Sequence, residues 1–172
     1  MGDPPRPSVV TNRTVELSGH HQGVSAYRGS HTFRAPLPEV WKLFVNPELW
    51  ALWNTEWSLR DIRGPFDHPG AGYTQVLTLF GREWLGSWEV VECDPLVRRE
   101  IRGVLPMGWP FEGSDWFTET ANGTRVDVEI RWQMPWGMVG RALATIARPV
   151  MAWQMRGNAR RAEAVLAGPV SG

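Results

Sequence analysis

The stretch from Phe33 to Trp57 restricts the fold of this chain more than any other. Phe33-Arg34-Ala35-Pro36 reads as a strand end, and two short helices follow at once. Pro38 pre-sets a helical dihedral in a first turn, and Val40, Trp41, Phe44 and Val45 then recur at helical spacing. Asn46-Pro47-Glu48 restarts the chain: Asn46 is a natural N-cap, Pro47 fits the first helical position, and Glu48 faces the positive helix end. Leu49, Leu52 and Trp53 give the second helix its apolar stripe, with Trp50 and Trp57 beside it. A strand, a helix pair punctuated by Asn-Pro and then further strands is an uncommon order, and it leaves few architectures open.

The remaining elements follow from period and turn chemistry. Residues 1–23 are polar and rich in Pro and Gly, which predicts a flexible arm ahead of one domain over 24–168. In Val24–Arg34, Tyr27, His31 and Phe33 share a face. Ser58–Arg63 reads as a strand, 67–72 as a loop of turn formers, and Tyr73–Phe80 and Glu83–Glu92 as further strands, the latter with Trp84, Trp88 and Val90 on one face. Val97–Leu105 is another, and Pro106-Met107-Gly108-Trp109-Pro110 is expected to be an apolar loop overhanging a cavity mouth. Asn122-Gly123 is a preferred hairpin pair, after which Val126, Val128, Ile130 and Trp132 alternate with charged residues. A two-residue loop on that pair sets Phe117 opposite Val128 and Asp115 opposite Ile130, whereas a three-residue loop turns Trp116 inward; the first register is favoured. From Trp136 to Leu166 the chain is helical, with Val139, Leu143, Ile146, Val150 and Trp153 as its stripe and Pro149 predicting a kink or break near Thr145–Arg148.

Eleven tryptophans in 172 residues are the compositional outlier. Indoles are bulky and carry an N–H that needs a partner, so several of them facing inward are easier to place around a cavity than in a solid core. The expected wall comprises Tyr27, Phe33, Trp53, Trp84, Trp88, Phe117, Trp132 and Trp153, and the expected occupant is a hydrophobic small molecule.

Two inward residues can move protons. His31 is a general-base candidate, the alternative being a hydrogen-bonded core histidine. Asp115 is either a buried carboxylate of raised pKa or the partner of an arginine.

Composition argues against other classes. Eighteen basic and eighteen acidic residues cancel, which gives no reason to expect a nucleic-acid partner. No apolar run approaches the ~20 residues of a membrane span, so no stable membrane insertion is expected. The single cysteine, Cys93, and an N-terminus without an apolar signal core fit a cytoplasmic protein, as monomer or homodimer. His20-His21 has no further ligand at metal spacing, no Gly-rich phosphate loop follows a strand, and no Gly-x-Ser-x-Gly elbow occurs, so neither metal nor cofactor is expected.

Taken in order, Ala35-Pro36-Leu37-Pro38-Glu39-Val40-Trp41, Asn46-Pro47-Glu48-Leu49-Trp50 with Trp53, Gly72, Trp88 to Pro95, and Gly123-Thr124-Arg125-Val126 resemble the START-like, birch-pollen-allergen-like superfamily, and within it the polyketide cyclase/dehydrase family. The resemblance spans about residues 24–167. It implies an α+β helix-grip fold: a curved antiparallel sheet of about seven strands gripping the C-terminal helix around an apolar cavity. Aromatase/cyclases of the superfamily carry a Ser and an Arg on the strand that here runs Trp84–Glu92, where this chain has Trp88 and Val90 in the inward slots. That departure favours binding of a lipid-like or polyketide-like molecule over ring closure; the alternative is a cyclase or dehydratase that folds its substrate and uses one acid or base.

Overall fold

The computed structural model describes residues 24–105, 108–133 and 137–168. The elements run β1 (Val24–Phe33), α1 (Leu37–Val45), α2 (Pro47–Trp53), β2 (Ser58–Arg63), β3 (Gly72–Leu79), β4 (Arg82–Asp94), β5 (Arg98–Leu105), β6 (Trp109–Thr120), β7 (Gly123–Gln133) and α3 (Gly137–Leu166). The arm over residues 1–23 lies outside the described residues, as do the side chains of Val139, Leu143, Ile146 and Val150.

Asn46 ends α1 and caps α2. Its side-chain oxygen accepts the amides of Glu48 at 2.8 Å and Leu49 at 3.0 Å. The last carbonyls of α1 have no intrahelical donors. The Trp53 indole serves Leu43 (3.3 Å), Arg99 serves Phe44 (2.8 Å) and the Phe66 amide serves Val45 (2.6 Å). The helix pair is thereby fixed to the sheet as well as packed on it.

All seven strands form one antiparallel sheet in the order β1-β7-β6-β5-β4-β3-β2. A bulge interrupts the β4–β5 ladder between Val90 and Glu92. The β6–β7 turn uses residues 121–122, so that Thr120 pairs with Gly123, Phe117 with Val126 and Asp115 with Val128. This corrects the expected register by two residues and leaves every side chain on its expected face, since faces alternate with period two. Gly123 has to open β7 because its φ of +123° suits glycine and a Cβ there would lie 2.1 Å from the Phe33 carbonyl oxygen. Trp109 and Pro110 begin β6 instead of an overhanging loop, while Pro106 and Met107 lie outside the described residues.

The buried core lies between the inner sheet face and α1–α2, with Val40, Leu43, Phe66, Val90 and Val126 almost fully enclosed. α3 passes through Pro149 without the expected break. It packs on β1 and α2, and Arg161 donates to the Trp53 carbonyl at 2.8 Å and pairs with Glu56. Val126, Val128 and Ile130 of β7 and the C-terminal half of α3 line one open space; the expected burial of Leu143, Ile146 and Val150 against them lies outside the described residues. No helix of the described residues is long and apolar enough to cross a membrane.

Candidate functional site

That space is a cavity of about 400 Å³, bounded by the inner faces of β1 and β3–β7, by α2 and by α3. Of the residues picked out from sequence, Tyr27, His31, Phe33, Trp53, Trp88, Asp115 and Trp132 line it. Three do not. Trp84 shares the face of Trp88 but sits at the free end of the β3–β4 hairpin, where the ring is partly exposed and packs under Arg82, 5.1 Å from the guanidinium. Trp153 is 71% exposed; at 100° per residue it points about 140° around α3 from Asn158, which faces the cavity. Phe117 is buried behind the cavity wall, its ring 5.0 Å from Trp41 and 5.3 Å from Phe44. Alternation gives the face a residue shares; it does not say how far along that face the cover extends.

Asp115 is paired. Arg99, fully enclosed on β5, gives both Nε (3.1 Å) and Nη2 (2.5 Å) to Asp115 Oδ2 and its Nη1 to the Phe44 carbonyl. Its guanidinium also lies over two indoles, 5.6 Å from Trp50 and 5.2 Å from Trp88. A buried charge persists only when paired and hydrogen-bonded, and here three donors and two ring faces meet that requirement. Sequence reasoning missed Arg99, although its place two residues before Ile101 and six before Leu105 set it on the inward face of β5.

Beside this pair, Tyr73 stacks on Trp88 at 5.0 Å, with Gln75 and Trp50 near enough to act on its hydroxyl. Burial pushes the Tyr73 hydroxyl well above the ordinary tyrosine range, so it stays protonated. Among the described residues Gln75 Oε1 is the buried side-chain atom left without a partner. His31 sits at the opposite wall, half-exposed, with Nε2 3.0 Å from Glu163 Oε1 of α3. Tyr27 lines the same side; burial raises its pKa, and the positive charge of Arg156 partly offsets that. Cys93 stands opposite Arg99, and burial raises its thiol pKa despite the nearby guanidinium, which leaves it a poor nucleophile. Among the described residues no three His, Cys, Asp or Glu side chains converge on a point where a metal could sit.

Comparison with known proteins bears on the fold. No family model and no curated protein sequence matches the chain. Among solved structures, a protein from Rhodobacter sphaeroides superposes with a TM-score of 0.67 at 20% identity, covering 84% of this chain and 93% of its own. Ara h 8.0201 gives 0.62 at 12% identity, over 83% of this chain and 97% of its own. The chain has the helix-grip fold of the START-like, birch-pollen-allergen-like superfamily. DynU16, a protein of the dynemicin biosynthetic locus, also shares the helix-grip fold, with a TM-score of 0.57 at 22% identity over 84% of this chain; the match covers 48% of DynU16.

Proposed function

We propose that this helix-grip domain binds a hydrophobic, ring-containing small molecule in the cavity beneath α3. The observation that carries the reading is the makeup of the wall. A space of about 400 Å³ falls within the usual range for small-molecule sites, and its surface is built from Trp50, Trp53, Trp88, Trp132, Phe33 and Phe111. Aromatic walls suit a flat apolar guest through offset and edge contacts. The inward acid, Asp115, spends one oxygen on two Arg99 bonds, so its place in the wall is that of a structural ion pair and not of a free acid or base. The test is a tryptophan-fluorescence titration with phenylnaphthylamine, an uncharged apolar fluorophore. Val128, half-buried on the cavity wall, is the place to fill it. Val128→Trp should abolish binding while the far-UV circular dichroism stays native; binding unchanged by that substitution would place the guest elsewhere.

One observation supports a catalytic reading, that of a cyclase or dehydratase. His31 reaches the cavity and is oriented by Glu163, which is the arrangement of a general base held by a carboxylate. Native mass spectrometry of protein purified gently from its host identifies a captured ligand. If wild type converts that ligand and His31→Gln slows conversion about 100- to 10,000-fold with binding retained, the domain is an enzyme. Recovery of unaltered ligand from both identifies a carrier.

A further inference from the structure

α3 carries five arginines and a single acid, Glu163, within a chain of zero net charge. Charge on this helix is therefore concentrated, not balanced, and α3 forms one wall of the cavity. Arg161 is held by the Trp53 carbonyl and Glu56, and Glu163 is occupied by His31. Arg141 and Arg148 have side chains outside the described residues, which leaves Arg156 and Arg160. They are four residues apart, share one helical face, and both line the cavity. Among the described residues neither forms an ion pair: Glu56, Glu129 and Asp115 are committed to Arg161, to Arg28 with Arg131, and to Arg99. Two like charges at this spacing repel, and the described residues supply no counterion for them. Tyr27, across the opening on β1, is close enough to Arg156 for that charge to act on its hydroxyl.

Resting on the binding function proposed above, we infer that the guest is an organic anion: an apolar ring body inside the cavity and an oxyanion, such as a carboxylate, at its rim between Arg156, Arg160 and the Tyr27 hydroxyl. The guanidinium fork matches a carboxylate in shape as well as charge, and a site at the edge of an apolar cavity is shielded enough for the pairing to count. Both arginines can also reach water, so the empty site carries no buried charge and needs no occupant to fold.

The experiment compares two fluorophores with one ring skeleton, phenylnaphthylamine and the anionic anilinonaphthalene sulfonate, on wild type and on the Arg156→Gln/Arg160→Gln double variant. Both positions are exposed, so the variant should fold. The sulfonate probe should bind the double variant about tenfold or more weakly than wild type, and its wild-type affinity should fall with added salt. Phenylnaphthylamine should bind both proteins within about twofold, because its contacts are apolar. Equal weakening of the two probes, or no change in either, overturns the anion site and leaves the cavity reading standing. Failure of phenylnaphthylamine to bind wild type overturns both.

Discussion

Replacing Asp115 by Asn tests how the interior is held together, because it removes one charge and almost no volume. Arg99 would keep its bond to the Phe44 carbonyl and its place between Trp50 and Trp88, but would lose its counterion in a site without solvent access. Breaking a buried pair from one side costs about 3–5 kcal/mol, since the remaining charge stays buried and uncompensated. The amide oxygen of Asn can still accept a hydrogen bond, which puts the expected loss near the lower end, about 3 kcal/mol. At about 2–4 °C per kcal/mol for a domain of this size, Tm should fall by roughly 6–12 °C. Urea unfolding at neutral pH should show the same loss as a lower midpoint at unchanged slope. The Arg99→Met/Asp115→Leu double variant should recover much of it, because apolar residues of similar volume carry no desolvation penalty, and the cycle should give a coupling energy of about 2 kcal/mol or more. A loss below about 1 kcal/mol for Asp115→Asn, or additive single and double variants, would refute this account of the core.

Two further outcomes follow from the site. In the unfolded chain a tyrosine ionises near pH 10, whereas burial holds Tyr73 protonated well above that. Between those two values the unfolded state has lost a proton that the fold retains, so stability is intact below about pH 10 and falls above it by up to about 1.4 kcal/mol per pH unit. Tyr73→Phe should flatten that alkaline limb in urea titrations; an unchanged limb would mean that Tyr73 is not what titrates. Gly103→Ala should destabilise by more than about 3 kcal/mol in the same assay, because the new Cβ would meet the Ser87 carbonyl oxygen at 1.9 Å and Phe111 at 2.7 Å. A near-neutral effect would show that the β4–β5–β6 ladder is looser than described.

How much was legible in the sequence depended on whether a signal was local. The Asn46 cap, the bounds of β2 and the alternation in β7 come from neighbours in sequence, and each is found as expected. Trp84 and Trp153 failed because period assigns a face without saying where the covering elements end. Two apolar surfaces that face each other across a cavity give the same sequence pattern as two in contact, so period alone does not locate the space that Val128 and Ile130 share with α3. Arg99 was hidden by composition: Arg98-Arg99-Glu100 reads as a solvated charged run, and only its parity with Ile101 and Leu105 separates the middle residue from its neighbours. The Asp115–Arg99 pair joins residues sixteen apart on different strands, so it depends on a strand pairing that local sequence does not specify.

The bulge in β4 sets the charge stoichiometry of the interior. Had the β4–β5 ladder continued past Val90 in its first register, Glu92 would stand opposite Arg99 on the inner face. The extra residue puts Cys93 there instead and turns Glu92 outward, where it pairs with Arg98. One guanidinium then meets one carboxylate. A chain that lost Val91 would bring a second acid to the same arginine, and the interior would hold a net negative charge next to the cavity, which would oppose the anionic guest inferred above. A single inserted residue in β4 thus keeps the buried charges beside the cavity in balance.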